Sequence, residues 1–399
     1  MKPIPKRRGR RFKLACLYLG FLVILSLAAT ALVEAGIRIF VPEKYWRFRV
    51  GQDDWQPDPV LGWMHKPNLD VESRGLGNDV IRFRTNPDGF LPAEARQEKL
   101  PGRPRIMLFG DSTVVGRAVQ EDQRLARQLE RALAAKGFNC EVICAGVAGY
   151  STDQSLLMMR RWLPRYRPDV AIHMFSENDP AGNQTDLGYG LPKPLFTVEK
   201  DRGLTLHPPS PAAIRSRWAA AQSLRPRDLA QHLALYRMIL PSVQRFRARF
   251  DWRERSLRGI DELNWLDAWL PQVDWNLFDA IISAMKQACE EDGTYFLLTQ
   301  HPSVAEVWQE GAPTEKRYLL QKRLEETARK IGADFCPVVG YFLQARHEGP
   351  FHLLPRDSHC NAKGYEVTAR CLAEHLTANP TALRRREEGR PASNPELSH

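Results

Sequence analysis

From residue 105 onward, short runs of apolar residues alternate with longer segments in which apolar residues recur every three or four positions. The short runs are typical of buried strands, and the longer segments are typical of helices that cover them. The predicted strands are 106–109, 141–145, 170–175, 295–299 and 334–338, and the predicted helices are 121–135, 153–166, 275–290, 316–330 and 362–377. This alternation predicts an α/β fold of three layers, in which helices cover both faces of a doubly wound parallel sheet.

Residues 180–270 interrupt the alternation of strands and helices. They are rich in Arg and Trp, and their pattern predicts one amphipathic helix near 228–250, interrupted by Pro241. We interpret this stretch as a helical insertion in the α/β domain. Two interpretations of its role stay open, a lid over a site and a solvated helical cap that takes no part in chemistry.

The N-terminus carries a different pattern, a single uninterrupted apolar run. Residues 14–33 contain no charged residue, and at about 1.5 Å per residue they match the thickness of the hydrocarbon core of a bilayer. The preceding segment, 1–13, holds seven basic residues and no acidic one, so it is expected to stay in the cytoplasm. We predict a single-pass anchor with everything after Val33 outside the membrane. The alternative is a signal peptide cleaved at Ala29-Thr30-Ala31, although the apolar run exceeds the usual length of roughly 7–15 residues.

Residues 34–100 mix aromatic residues, prolines and short alternating stretches such as 80–84. A segment with so many aromatic residues is not expected to remain solvated. We therefore predict a collar of strands and turns between the anchor and the α/β domain, rather than a flexible linker. The α/β domain then covers 101–379, and 380–399 form a polar tail.

Most of the net positive charge of the chain comes from its N-terminal segment. The 57 Lys and Arg residues exceed the 47 Asp and Glu residues by ten, and removing the seven basic residues of 1–13 leaves a net charge of +3. The body of the protein is therefore near neutral, which argues against nucleic acid as a partner. Seven cysteines are too few for a disulfide framework and their spacings fit no zinc site. No H-E-x-x-H or P-loop motif occurs either, and we predict no metal and no cofactor.

Candidate chemistry lies at the carboxyl ends of the predicted strands, where open α/β sheets bind their ligands. The residues that follow successive strands are Gly110-Asp111-Ser112, Gly146-Val147-Ala148-Gly149, Ser176-Glu177-Asn178-Asp179 and Gln300-His301. A serine hydroxyl is a poor nucleophile unless an imidazole takes its proton and a carboxylate orients that imidazole. The segment before the last helix contains both groups, in His359 and Asp357. We predict Ser112, His359 and Asp357 as a catalytic triad.

These segments resemble the four blocks of the SGNH (GDSL) esterases and lipases. The blocks are Gly110-Asp111-Ser112, Ala145 to Tyr150 with its glycines, Ser176-Glu177-Asn178-Asp179, and Asp357-Ser358-His359 followed by Asn361 to Gly364. The resemblance covers 101–379 without the insertion and implies a flavodoxin-like α/β fold. Segments 58–63 and 85–90 also resemble the region ahead of the catalytic domain in membrane-anchored bacterial members.

The resemblance implies a role for each matching residue. Ser112 is the expected nucleophile, His359 the base and Asp357 the carboxylate that orients it. The expected oxyanion donors are the backbone N–H groups of Ser112 and Gly149 and the side-chain amide of Asn178. His301, which the resemblance does not assign, is a candidate substrate contact because it follows the fourth strand.

Three positions depart from the pattern of the family. Cys144 stands where many relatives have Asn, and Ser176 where they have Gly. Asp357 lies two residues before His359, whereas three is the commoner spacing. Outside the triad, we expect Asp111 to bond backbone N–H groups in its turn, and His173, in mid-strand, to be a core histidine.

We predict a membrane-anchored serine esterase, in the inner (cell) membrane with its catalytic domain in the periplasm, that cleaves an O-acyl ester on a glycan, a lipid or a small molecule. The same triad in an O-acyltransferase acting on envelope polysaccharide is the first alternative. A non-catalytic scaffold that keeps the fold to bind glycans is the second, motivated by the three departures.

Overall fold

A computed structural model describes most of the chain. The described residues are 7–42, 54–74, 80–222, 233–236, 238–239, 270–308, 313–353, 358–379 and 382–383.

The first element is a long helix, α1 (Arg7–Phe40), which contains the predicted membrane segment. Its part Phe12–Phe40 is apolar enough to cross a membrane, with a mean hydropathy of 2.4 in its most apolar window, and none of that window is buried. The helix continues past the predicted end of the span. There the Glu34 carboxylate accepts hydrogen bonds from the backbone N–H groups of Ala234 (2.8 Å) and Leu235 (2.9 Å).

Two antiparallel hairpins follow in the predicted collar. Their strands are β1 (Trp55–Asp58), β2 (Gly62–His65), β3 (Asp70–Arg74) and β4 (Val80–Arg84). We call the β1–β2 pair the collar hairpin. It packs on the α/β domain, where Arg161 forms an ion pair with Asp58 at 2.7 Å and Gln154 donates to the Leu61 carbonyl at 2.8 Å.

A five-stranded, fully parallel sheet forms the centre of the α/β domain. Its strands are β5 (Arg105–Phe109), β6 (Glu141–Cys144), β7 (Val170–Phe175), β12 (Tyr295–Gln300) and β13 (Asp334–Cys336). Their spatial order is β13-β12-β7-β5-β6. The order reverses at β5, so the chain winds outward in both directions from the strand that precedes Ser112.

Helices cover the sheet on both faces. In chain order the helices after α1 are α2 (Ser112–Val115), α3 (Leu125–Ala134), α4 (Thr152–Tyr166), α5 (Asp179–Asn183), α6 (Pro211–Gln222), α7 (Trp275–Asp292), α8 (Val304–Trp308), α9 (Thr314–Arg317), α10 (Leu319–Ile331), α11 (Val339–Gln344) and α12 (Ala362–Ala378). Alternate residues of β5 enter opposite cores. Ile106 and Leu108 pack with α3 and α12, and Met107 and Phe109 pack with α4 and α7. Burial on both faces explains why the strands are apolar throughout, and the predicted three-layer, doubly wound fold is confirmed.

The insertion at 180–270 differs from the prediction of a helical segment. Its described part contains two short hairpins before α6, made of β8 (Leu187–Gly188) with β9 (Leu191–Pro192) and β10 (Leu195–Glu199) with β11 (Gly203–His207). The second hairpin turns through residues 200–202, directly before Gly203, which has a φ of +69°. Strands this short leave little periodicity to detect. Of the helix predicted at 228–250, the structure describes residues 233–236 and 238–239. Residues 234–236 and 238–239 are helical, and the rest of the predicted helix lies outside the described residues.

Candidate active site

Ser112 and His359 meet at the carboxyl edge of the sheet. His359 Nε2 lies 2.7 Å from Ser112 Oγ, and both side chains are partly exposed. Ser112 is the first residue of α2, directly after β5, and His359 lies in the loop before α12. This is the distance that a general base needs to take a proton from a hydroxyl.

The turn that carries Ser112 is held by the Asp111 carboxylate. Asp111 is 3% exposed, and its Oδ1 accepts hydrogen bonds from the Thr113 backbone N–H (2.8 Å) and the Thr113 hydroxyl (2.7 Å). Gly110 precedes it with a φ of +150°, and a Cβ there would lie 2.9 Å from the Met174 carbonyl oxygen. Asp111 therefore shapes the turn, as we expected, and leaves the Ser112 hydroxyl free to face His359.

Ser176 adds a second support to the same turn. Its hydroxyl donates to Asp111 Oδ1 at 2.9 Å and lies 3.0 Å from the Thr113 hydroxyl. This contact links the loop after β7 to the loop after β5. A glycine at position 176 would lack it, so the departure from the family pattern has a structural explanation.

Cys144 is buried beneath the same turn. It is 2% exposed, and its Sγ lies 3.6 Å from the Val114 carbonyl oxygen of α2. Burial raises the pKa of the thiol to about 12, so it stays neutral and packs as a small apolar side chain.

Gly149 lies in the loop after β6 with a backbone that favours glycine. Its φ is +81°, and a Cβ on it would lie 1.9 Å from Cε2 of Tyr189, so the Tyr189 ring rests directly on this glycine. The collar hairpin supports the loop from behind, since Trp63 Nε1 donates to the Ala148 carbonyl at 3.1 Å and the Tyr150 hydroxyl donates to the Trp63 carbonyl. The loop is thus held between the collar and the insertion.

Asn178 follows β7 at the same edge, and its side chain is exposed. It precedes α5, whose first residue, Asp179, is buried and accepts the Ser176 backbone N–H at 3.1 Å. Burial raises the pKa of the Asp179 carboxyl well above its ordinary value. Its neighbour His173 is fully buried, with Nε2 3.9 Å from Asp179 Oδ2, and burial lowers the pKa of His173 to about 4. His173 is therefore a neutral core residue.

His301 contacts the loop that carries His359. Its Nε2 lies 3.3 Å from the Ser358 carbonyl oxygen, and its backbone N–H donates to the Phe175 carbonyl at 2.8 Å. This places it beside the candidate base, where it supports the loop. Its predicted contact with the substrate stays a prediction. Asp357, the predicted orienting carboxylate, lies outside the described residues.

Three residues lie close enough together to be considered as metal ligands. One possible ligand atom from each of His301, His352 and Cys360 lies within 4.8 Å of the other two. The hydrogen bonds of His352 argue against a metal there. Its Nδ1 is 3.0 Å from Trp308 Nε1, and an indole N–H only donates, so Nδ1 must be the acceptor. Its Nε2 then carries the proton and donates to the Pro302 carbonyl at 3.1 Å. Both ring nitrogens are engaged, and burial lowers the pKa of His352 to about 3.

A buried ion pair that the sequence patterns missed fixes the segment after Asn178. Lys193 and Asp153 are 1% and 0% exposed and form a direct contact. The Lys193 ammonium also donates to the carbonyls of Gly182 (2.9 Å) and Thr185 (3.0 Å). Because Gly182 belongs to α5 and Asp153 to α4, this cation ties the segment that carries Asn178 to the domain.

Comparison with known proteins points to one family. The sequence model of the GDSL-like Lipase/Acylhydrolase family matches residues 108–367. No curated protein sequence matches the chain.

Similar solved structures include an acetyl xylan esterase, AlAXEase, with 14% identity, a TM-score of 0.38, and coverage of 68% of this chain and 99% of the other. A lipase/acylhydrolase from Enterococcus faecalis shows 14% identity and a TM-score of 0.35, with 69% and 96% of the two chains covered. A GDSL-like lipase from Bacteroides thetaiotaomicron shows 12% identity and a TM-score of 0.34, with 72% and 93% covered.

Proposed function

The chain belongs to the GDSL-like lipase/acylhydrolase family of ester-hydrolysing serine hydrolases, and on that premise we propose that Ser112, His359 and Asp357 form its catalytic triad. The observation that carries the proposal is the 2.7 Å contact between His359 Nε2 and Ser112 Oγ. It joins two residues far apart in the sequence, and it is the contact that activates a serine nucleophile. The orienting role of Asp357 is proposed from the resemblance to the family, in which a carboxylate lies just ahead of the histidine.

The proposed reaction proceeds through an acyl-enzyme. Ser112 Oγ attacks the ester carbonyl carbon while His359 Nε2 takes the hydroxyl proton. As the tetrahedral intermediate collapses, the bond to the alcohol oxygen breaks and His359 returns the proton to that oxygen. Water then attacks the acyl-enzyme, again giving a proton to His359, and the acid and free Ser112 are released.

Three donors are proposed for the oxyanion, namely the backbone N–H groups of Ser112 and Gly149 and the side-chain amide of Asn178. All three residues follow strands at the carboxyl edge of the sheet, and Asn178 is exposed. The positive φ of Gly149 supports the assignment, because an unusual backbone conformation at a loop glycine is a common way to aim an N–H at a ligand. Each such donor contributes about 2.7–4 kcal/mol to stabilising the transition state.

We further propose that α1 anchors the enzyme in the inner membrane, with the catalytic domain in the periplasm. The support is the apolar and unburied run 14–33 of α1, which follows seven basic residues. The substrate is then an acyl ester on a glycan, a lipid or a small molecule on that side of the membrane. Extraction of the full chain from membranes by detergent, but not by high salt, checks the anchor.

Ser112→Ala in the full chain, purified in detergent, tests the activity. We expect p-nitrophenyl acetate hydrolysis to fall to the background rate, and labelling by a fluorophosphonate to be lost at the peptide that contains Ser112. Ser216→Ala, an exposed serine on α6, is the matched control and should change neither readout. Equal rates for the Ser112→Ala and unmodified proteins would overturn the assignment. Transfer of the acyl group to added sugar instead of water would favour the transferase.

A further inference from the structure

Tyr189 occupies a position that its side chain does not favour. It lies in the two-residue turn between β8 and β9, with a φ of +51°, and Gly190 follows with a φ of +75°. Such turns need positive φ at both central residues and ordinarily take Asn, Asp or Gly at the first. A tyrosine here raises the free energy of the turn, so its ring should be present for a reason other than the turn itself.

The ring of Tyr189 lies beside the proposed reaction centre. It rests on Gly149, whose backbone N–H is a proposed oxyanion donor, close enough that no Cβ fits between them. Even so, the residue is 63% exposed. One part of the ring therefore touches the loop 145–150, the proposed oxyanion loop, although the residue as a whole is largely exposed.

The collar hairpin holds this ring in place. Trp55, which is 3% exposed, lies with its ring centroid 5.6 Å from that of Tyr189, and Trp63 lies 5.6 Å behind Trp55 in a stacked arrangement. Gly188, just before Tyr189, leaves room for Trp63, since a Cβ on it would lie 2.6 Å from Trp63 Cη2. The tyrosine is thus the exposed end of a row of aromatic rings whose other members are buried.

The openness of the site indicates what this ring binds. Ser112 and His359 are partly exposed and Asn178 is exposed, so part of a bound ester remains in contact with water. A long acyl chain gains most from an enclosed apolar channel. A sugar ring instead has one apolar C–H face, which packs on an aromatic ring, and hydroxyls at its rim that remain hydrated. An exposed aromatic face with a phenol hydroxyl at its edge fits such a ligand.

We propose that Tyr189 is a specificity-determining residue that binds the sugar ring of an O-acylated carbohydrate against the oxyanion loop. The proposal rests on the proposed esterase function and names its class of substrate. It also assigns the collar hairpin a part in substrate binding, because Trp55 supports the ring that makes the contact.

Two esters with the same acyl group separate this role from a structural one. The full chain is assayed on glucose pentaacetate and on p-nitrophenyl acetate, with Tyr189→Ala, Tyr189→Phe and the control Val198→Ala, an exposed apolar residue of the β10–β11 hairpin. We expect Tyr189→Ala to lower kcat/KM on the sugar ester by about tenfold, mainly through KM, with p-nitrophenyl acetate changed less than about twofold. Tyr189→Phe keeps the stacking face and should recover most of the loss.

A binding measurement keeps the inference separate from the catalytic assignment. Glucose pentaacetate is titrated calorimetrically into the Ser112→Ala protein with and without Tyr189→Ala, and we expect the second change to weaken binding. Equal binding with Tyr and Ala at position 189, or an equal loss of kcat/KM on both esters, would overturn the inference. A loss confined to p-nitrophenyl octanoate would also overturn it, since Tyr189 would then bind acyl chains. Failure of the proposed function instead appears as retained hydrolysis in Ser112→Ala.

Discussion

Replacing Gly149 by alanine tests whether its loop supplies an oxyanion donor. At a φ of +81°, an alanine Cβ costs about 1–2 kcal/mol through its contact with the following carbonyl. The same Cβ would lie 1.9 Å from Tyr189 Cε2, so the ring has to leave. Because Tyr189 is 63% exposed it has room to swing out, and the main loss is its contact with Trp55, about 0.5–1.5 kcal/mol.

Together these effects predict a loss of about 1.5–3.5 kcal/mol in the free energy of unfolding. For a domain of this size the fall in Tm is roughly 3–6 °C. The effect on catalysis should be larger, because relieving the strain rotates the Gly149 N–H away from the oxyanion. Loss of one such donor lowers kcat by about 10²–10³. We therefore expect a folded protein that turns over p-nitrophenyl acetate at least about a hundredfold more slowly.

Circular dichroism melts and kcat on p-nitrophenyl acetate measure the two effects separately. Gly137→Ala is the matched control, since Gly137 has a φ of +87° and open space around its Cβ position. Gly137→Ala introduces a similar backbone strain, but its Cβ meets no ring and the residue does not belong to the proposed site. Adding Tyr189→Ala to Gly149→Ala removes the steric conflict and should recover part of the stability but not the rate. A Gly149→Ala enzyme as active as Gly137→Ala would refute the assignment of this donor.

Two further predictions concern buried charges near the site. Burial raises the pKa of the Glu306 carboxyl from 4.5 to about 7. Between pH 4.5 and pH 7 the native state therefore binds a proton that the unfolded chain does not bind. The free energy of unfolding consequently falls as the pH rises through this range. Glu306→Gln should reduce the difference between the unfolding free energies at pH 5 and pH 8, measured in urea, by up to about 3 kcal/mol. The same pH dependence in the variant and the unmodified protein would count against this prediction. Lys193→Met leaves the buried Asp153 carboxylate without its cation and should destabilise the protein by about 3–5 kcal/mol in the same assay. Lys193→Met with Asp153→Asn should recover part of that loss, and no change in either variant would show that the pair is dispensable.

The parts of the fold predicted correctly are those with a strong local pattern. Strands β5 and β7 are buried on both faces, so their sequences are apolar without interruption. The parallel arrangement then brings strand ends to one edge, which is why Ser112 and the loop after β7 could be expected near each other. The roles of the predicted site residues stay predictions, although the structure brings Ser112 and His359 into contact.

The parts that were missed depend on contacts between distant segments. The ion pair of Lys193 with Asp153 joins the insertion to α4. Lys193 lies between two prolines, and nothing in this part of the sequence indicates that the lysine is buried. The hairpins of the insertion have strands of two to five residues, too short for a period of two to stand out. The contact of Tyr189 with Gly149 depends on both hairpin geometry and the collar, so no single segment indicates it.

The collar hairpin argues for a closer connection between the proposed anchor and the proposed site than the sequence suggested. A spacer would touch the domain only through exposed side chains, and its removal would leave the site unchanged. Here Trp63 is fully buried and donates to the Ala148 carbonyl, one residue before Gly149, and Leu61 accepts a bond from α4. These bonds satisfy buried polar groups that a shortened chain would leave without a partner, at a cost of about 1–3 kcal/mol each. The proposed oxyanion loop therefore depends on the segment that follows α1, and an α/β domain produced without residues 54–65 is expected to lose activity before it loses its fold.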